Sequence, residues 1–257
     1  YCTAWTFYGS VGRAAEQGFS FLTIYLGPTL LAPLWMIVLR KIIYISQYQR
    51  ITSIADFLSS RYGKSISLGI IASLLSMLAI VPYISIQLKG ITNSFYVLLV
   101  QANPYTGNTP LPFYLDSALY ISIALAVFII LFGARKLDPN EKHEGLVGAI
   151  AAESLLKLIA FLAAGIFVTF GVFNGFGDLF SRGFANDYIE ELFVFSGSDT
   201  KGHQWFWLML LSMFAVLLLP RQFHVAVVEN NSTEHIRKAS WVFPLYLLLM
   251  NVFVLPI

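Results

Sequence analysis

One cysteine in 257 residues, Cys2, excludes a disulfide within the chain. Charge is scarce as well. Asp, Glu, Lys and Arg make up 12% of the residues while 57% are hydrophobic, and the mean hydropathy is +0.71. That balance excludes a water-soluble globule and a disordered chain. The formal charge is only +2, with no basic patch interleaved with aromatics, so nucleic acid is not a partner. The four histidines, His143, His203, His224 and His235, lie in loops or near the ends of apolar runs and have no paired metal-ligand spacing. No P-loop, dinucleotide fingerprint or nucleophile elbow occurs, and no catalytic constellation can be named. Short alternating segments of the outer-membrane barrel type are absent too.

Long apolar runs fill the chain instead. A helix needs about 20 apolar residues to cross a bilayer, and segments at 1–12, 19–39, 66–99, 116–134, 145–173, 204–220 and 240–257 predict an all-α polytopic membrane protein with seven spans. There is no initiating Met, and both ends fall inside apolar stretches, so the chain reads as cut at both ends.

The loops give the direction. Loop 40–64 carries Arg40, Lys41, Arg50, Arg61 and Lys64 against Asp56 alone. Loop 134–144 carries Arg135, Lys136 and Lys142, and loop 221–239 carries Arg221, Arg237 and Lys238. By the positive-inside rule these three are cytoplasmic. The loops between them, 100–115 without Lys or Arg and the acidic 174–203, are then external. Two stretches read either as short helices outside the membrane or as mere connections between spans. "ITSIADFLSSRYG", 51–63, has apolar residues at helical spacing with Thr52 or Ser53 as N-cap, and lies flat on the inner surface. "GFGDLFSRGFANDYIEELFVF", 175–195, forms short external helices.

Polar residues inside the spans are the candidate functional groups, because each is costly there. Glu153 and Lys157 stand at i and i+4 in "AIAAESLLKLIAFLAAG", an order that suits an ion pair within one helix. Two readings stand: a structural pair facing the bundle interior, or groups lining a solute or ion path together with Ser154. In the first segment, "CTAWTFYGSVG", Thr3, Thr6, Ser10, Gly9 and Gly12 suit an unwound helix around Ala4. Trp5, Phe7 and Tyr8 offer an aromatic wall. Segment six ends in "LLLPRQFHVAVVE", where Pro220 precedes Arg221, Gln222 and His224 and either stops or breaks the helix. Two broken apolar segments five spans apart point to a transporter of inverted five-helix repeats. Gln87 in segment three reads mainly as a hydrogen-bond partner of a neighbouring helix.

"TSIADFLSSRYG" resembles the cytoplasmic "T-x-P-D-Y/F-x-x-x-R-F/Y-G" element of the sodium/solute symporter family: Asp56, Phe57, Arg61, Tyr62 and Gly63 fit, and Ala55 replaces the usual Pro. "RQFHVAVVE", with Gln222 and His224, is similar to the family's Gln-Pro-His segment end, and Arg237-Lys238 falls where a basic pair follows. "YCTAWTFYGSVGRAAEQGF", "PYISIQLKGI" and "LDPNEKHEGLVGAIAAESLLKLIAFLAAGIFVTFG" resemble a branch in which the symporter-like region opens a sensor histidine kinase.

The resemblance implies a broken-helix, five-plus-five inverted-repeat (LeuT-like) fold. One symporter-like domain would cover 1–257, with the first repeat over about 1–175 and the second starting at about 203–257. The seven spans would be the second to eighth of about thirteen. It also implies a bacterial inner (plasma) membrane location, an amino acid or similar small nutrient as solute, and no cofactor in this stretch beyond a sodium ion. That sodium site lies near Ala4 and Thr6 and is incomplete here. Kinase region and response regulator would be partners through the parent chain, and this input-module reading is preferred to a plain symporter. A self-contained seven-helix receptor is disfavoured by the cut ends. Glu153 would hold a family acid. Lys157, by analogy with related transporters that use a fixed ammonium, would partly or wholly replace the coupling ion.

Overall fold

A computed structural model describes residues 3, 5–100, 114, 117–132, 144–193, 199–230 and 232–257. The described residues are helical, with no strand. Loop 100–115 (apart from Val100 and Tyr114), loop 134–143, Cys2 and His143 lie outside the described residues, so their expected roles are not addressed.

The chain begins with a π-helical turn, Trp5–Gly9, and continues through α1 (Ser10–Gln17), α2 (Leu22–Leu31) and α3 (Val38–Gln49). Tighter 3₁₀ turns, Gly18–Phe21 and Ala32–Met36, join them. At Gly18 the backbone takes φ +57°, a conformation that suits glycine. A Cβ there would also fall 2.1 Å from the Leu192 carbonyl oxygen, so only glycine lets this turn meet the helix Asp187–Phe193.

Next come α4 (Ile54–Arg61), α5 (Ile66–Val100), α6 (Ser117–Phe132) and α7 (Glu144–Ile166), the last running into a second π-helical turn, Phe167–Val172. Two short helices follow, α8 (Phe176–Phe184) and α9 (Asp187–Phe193). The chain closes with α10 (Asp199–Leu218), α11 (Pro220–Phe223), a π-helical turn at His224–Val228, and α12 (Glu234–Val252).

Three of these runs are long and apolar enough to cross a membrane, Thr6–Met36, Ile66–Phe95 and Val147–Val172. A fourth is added if the bent pair Gly202–Leu218 and Pro220–Val228 is one span. The seven apolar segments therefore do not map one to one onto spanning helices. The first two both fall largely within the run Thr6–Met36, which the backbone interrupts at Gly18 (φ +57°, ψ −132°) before α2. Segment 116–134 is the shorter apolar helix Ala118–Leu131, and α12 starts among Glu234, Arg237 and Lys238.

Both helices expected outside the membrane are present. Ser53, one of the two residues proposed as N-cap of α4, accepts the Asp56 N–H at 3.1 Å. Asp56 in turn accepts the Thr52 N–H at 3.2 Å, so each satisfies a backbone donor that the first helical turn leaves open. In α8, Arg182 Nε donates to Asp178 Oδ1 at 2.7 Å and the Asn174 N–H to Oδ2 at 3.1 Å. The Arg182 bond first, then the Asn174 bond, hold this carboxyl below the usual carboxylate range. Because the folded value is lowered, the stabilisation is present above the ordinary carboxylate pKa and is lost as pH falls through the lowered one. Arg182→Ala should move the Asp178 titration, followed by carboxyl NMR, back up toward the ordinary range. An unmoved titration would contradict this assignment.

Two apolar clusters hold the helices together. One joins Ala14 of α1 and Tyr25 of α2 to Leu158 and Phe161 of α7 and to Leu247 and Met250 of α12. The other joins Ala32 and Trp35 to Ile43 of α3, Val216 of α10, Phe223 of α11 and Ile236 of α12. Phe243 of α12 flanks both. Between α2 and α10 the approach is close enough for the Ser212 hydroxyl to donate to the Thr23 carbonyl at 2.8 Å.

Candidate functional site

Thr6 is the centre of the first candidate site. In a π-helical turn the carbonyls are displaced from the ordinary i to i+4 ladder and become available to other donors. Thr6 is 3% exposed and Ser10 is fully buried. The Thr6 carbonyl accepts the Ser10 hydroxyl and, at 3.4 Å, the Tyr25 hydroxyl from α2. Its Oγ1 accepts the Thr3 N–H at 3.1 Å, and its own N–H donates to the Thr3 carbonyl at 3.0 Å. A buried group of neutral oxygens thus converges on one turn: two carbonyls and three hydroxyls from Thr3, Thr6, Ser10 and Tyr25.

Hard, uncharged oxygens of this kind suit an alkali cation. Among the described residues there is no group of three or more His, Cys, Asp and Glu that could hold a metal ion. Ala4 and the side chain of Trp5 lie outside the described residues. Gly9 closes the turn and is half-buried.

Two helices brace this turn. Phe7 packs edge-on against Phe161 of α7 with ring centres 5.7 Å apart. Ser94 of α5 donates to the Tyr8 hydroxyl at 2.9 Å. Gln87 is half-buried on the same helix, two turns before Ser94.

The second candidate site is the break in segment six. Pro220 has no N–H to continue the ladder of α10, Leu219 takes an extended conformation (φ −64°, ψ 132°), and the axis bends by 47°. Pro220 therefore breaks the run, and the helix resumes as α11. Two neighbours hold α11 just after the bend. The Arg221 guanidinium lies 5.0 Å from the centre of the Tyr83 ring of α5, a cation–π contact. Phe223 packs against Phe57 of α4 with ring centres 5.6 Å apart, which places the 51–63 element directly on the break. Gln222 is half-buried, and His224 Nε2 lies 3.4 Å from Glu229 Oε1.

Glu153 and Lys157 do form the ion pair that their spacing implies. They pair with each other and not with Thr6 or the α10–α11 break. Lys157 is 36% exposed and Glu153 59%, so the pair sits at the margin of the described helices, while Leu158 and Phe161 take the inward positions. Ser154 is half-buried, and its carbonyl accepts the Tyr246 hydroxyl of α12 at 3.0 Å. Asp56 caps α4 as described. Arg61 ends that helix, exposed, and Gly63 turns out of it at φ +68°.

Tyr25 and Tyr83 were not among the sequence candidates for either site. A tyrosine inside an apolar run was the available signal, since its hydroxyl needs a partner when buried.

A sequence profile described as the Sodium:solute symporter family matches residues 1–99, which include Thr3, Thr6, Gly9, Asp56, Arg61, Gly63 and Gln87. A protein of Bacillus subtilis (strain 168), described as the uncharacterized symporter YhjB, is 24% identical over 258 residues. The match takes in 96% of this chain and 46% of the relative, so the chain spans about half the length of the curated relative it matches. No solved structure matches it.

Proposed function

We propose that this chain carries the first repeat, over about 1–175, and the start of the second, over about 203–257, of a sodium-coupled solute symporter, and that sodium binds at the unwound turn around Thr6. The observation that carries the reading is the buried convergence of Thr3, Thr6, Ser10 and Tyr25 oxygens on a π-helical turn, within the residues that match the symporter profile. The bent α10–α11 segment supplies a second discontinuous helix, and paired discontinuous helices are how transporters of this kind build sites near the bilayer midplane. In the inverted-repeat, LeuT-like arrangement the two breaks would be symmetry counterparts.

When bound, sodium supplies a fixed positive charge that couples its own gradient to the solute's. The chain's share is to present oxygens at the turn and to hold that turn against α2, α5 and α7. The solute is proposed to be an amino acid or similar small nutrient, moved across a bacterial inner membrane. The alternative, an input module of a sensor histidine kinase acting through a response regulator, rests on the likeness of 137–171. The profile and the relative both speak of symporters, and neither supports a kinase link.

The test is uptake by the intact protein in proteoliposomes, with labelled amino acids supplied as a mixture. Uptake should require an inward sodium gradient, and Thr6→Val, which keeps the shape and removes Oγ1, should raise the sodium concentration for half-maximal uptake by about tenfold, the loss of one good oxygen contact. Equal uptake with potassium in place of sodium would overturn the proposal.

A further inference from the structure

An apolar groove of about 410 Å³ lies where α4, the start of α5 and the end of α10 meet. Its volume falls within the roughly 300 to 1,000 Å³ of small-molecule sites. Its walls include Ile42 of α3, Phe57 and Leu58 of α4, Leu68 and Leu75 of α5, and Leu218 of α10. Ser76 is the one polar side chain in this lining, and its hydroxyl donates to the Ala72 carbonyl of its own helix at 2.8 Å.

Its rim is basic. Lys41 is next to Ile42, Arg61 follows Phe57 and Leu58 by one helical turn, and Lys64 precedes Leu68 by four residues. All three are exposed, and none has an ion-pair partner among the described residues. Asp56 is the only acid in 40–64, and its carboxylate is used by the N-terminus of α4. Three exposed basic residues without an ion-pair partner among the described residues thus flank, along the chain, the elements that wall the apolar slot.

We propose that this groove holds an acyl chain of an anionic phospholipid from the inner leaflet, with Lys41, Arg61 and Lys64 engaging its phosphate. The charge argues for this occupant. Clusters of Lys and Arg on the cytoplasmic side attract anionic headgroups, and the apolar walls give the attached chain a place that water would otherwise have to line. A lipid held there touches α4 and Phe223 at once, and so braces the side of the α10–α11 break that faces the inner surface. The inference rests on the reading of the chain as membrane-spanning with 40–64 inside. It does not depend on sodium binding, so failure of either test leaves the other readable.

Native mass spectrometry of the intact protein, released from nanodiscs of equal phosphatidylglycerol and phosphatidylcholine with identical acyl chains, reads the lipid it keeps. Phosphatidylglycerol should be retained about fivefold or more over phosphatidylcholine, given three basic contacts. Lys41→Gln, Arg61→Gln and Lys64→Gln together should abolish the preference, and Leu58→Trp, which fills the groove, should lower retention of both lipids. If the triple variant does not fold, about 0.5 M salt during extraction of the wild type should erase the preference by screening. Equal retention of the two lipids by the wild type, or an undiminished preference in the triple variant, would overturn the proposal. A cross-link placing another segment of the same protein in the groove would overturn it too.

Discussion

Gly27→Val should leave almost no folded protein in the membrane. A Cβ at Gly27 falls 2.0 Å from Ser212 Oγ, 2.6 Å from the Met209 carbonyl oxygen and 2.8 Å from the Met213 nitrogen. The serine hydroxyl can rotate away, but the two backbone atoms of α10 cannot, so α2 and α10 must separate. Small residues at such crossings are what let membrane helices approach closely, and packing replaces much of the hydrophobic drive there. Overpacking of a well-fitted interface costs about 1 to 3 kcal/mol. Here the Ser212 to Thr23 hydrogen bond is lost as well, and the dislodged α10 carries the Pro220 break with it. Gly12→Val is the control, because a Cβ there meets nothing within 4 Å. Size-exclusion profiles of the two variants in mild detergent decide the point: a monodisperse Gly27→Val peak at wild-type yield would contradict the close approach.

The second large effect concerns the ion pair of α7. An unpaired charge at the centre of a spanning helix costs about 2.5 to 3.5 kcal/mol on insertion scales. Glu153→Gln or Lys157→Met alone leaves such a charge, and each should lower the amount of folded protein several-fold. The double variant removes both charges and should recover most of the loss, the signature of a pair whose members matter mainly to each other. Uptake separates this from the alternative in which Lys157 takes the cation's place. In that case Lys157→Met would fold at wild-type levels while uptake disappeared, and the double variant would not restore it.

Features set by neighbours along the chain are legible in the sequence. Glu153 and Lys157 are four residues apart, so helical periodicity alone brings them together. Ser53 and Asp56 form a local cap, and Pro220 acts on its own helix by the donor it lacks. Thr3, Thr6 and Ser10 stand within one short stretch, which is enough to anticipate that their polar groups meet.

Features set by packing are not legible in this way. Tyr25 reaches Thr6 only because the Gly18–Phe21 turn folds α2 back beside the first turn. Arg221 and Tyr83 come from segments far apart in the chain, and no periodicity links them. The fit of Gly27 against α10 is invisible in sequence, since a glycine in an apolar run carries no mark of what lies opposite.

Sodium binding at the Thr6 turn is tested most directly by the melting temperature of the purified intact protein in sodium chloride and in choline chloride at equal ionic strength. A ligand that binds the folded state alone raises its apparent stability with concentration. The expected result is a rise in melting temperature that saturates with sodium, is absent with choline, and is shifted to higher sodium concentration in Thr6→Val. Identical melting in the two salts, or a sodium effect that Thr6→Val leaves unchanged, would contradict the assignment of the cation to this turn.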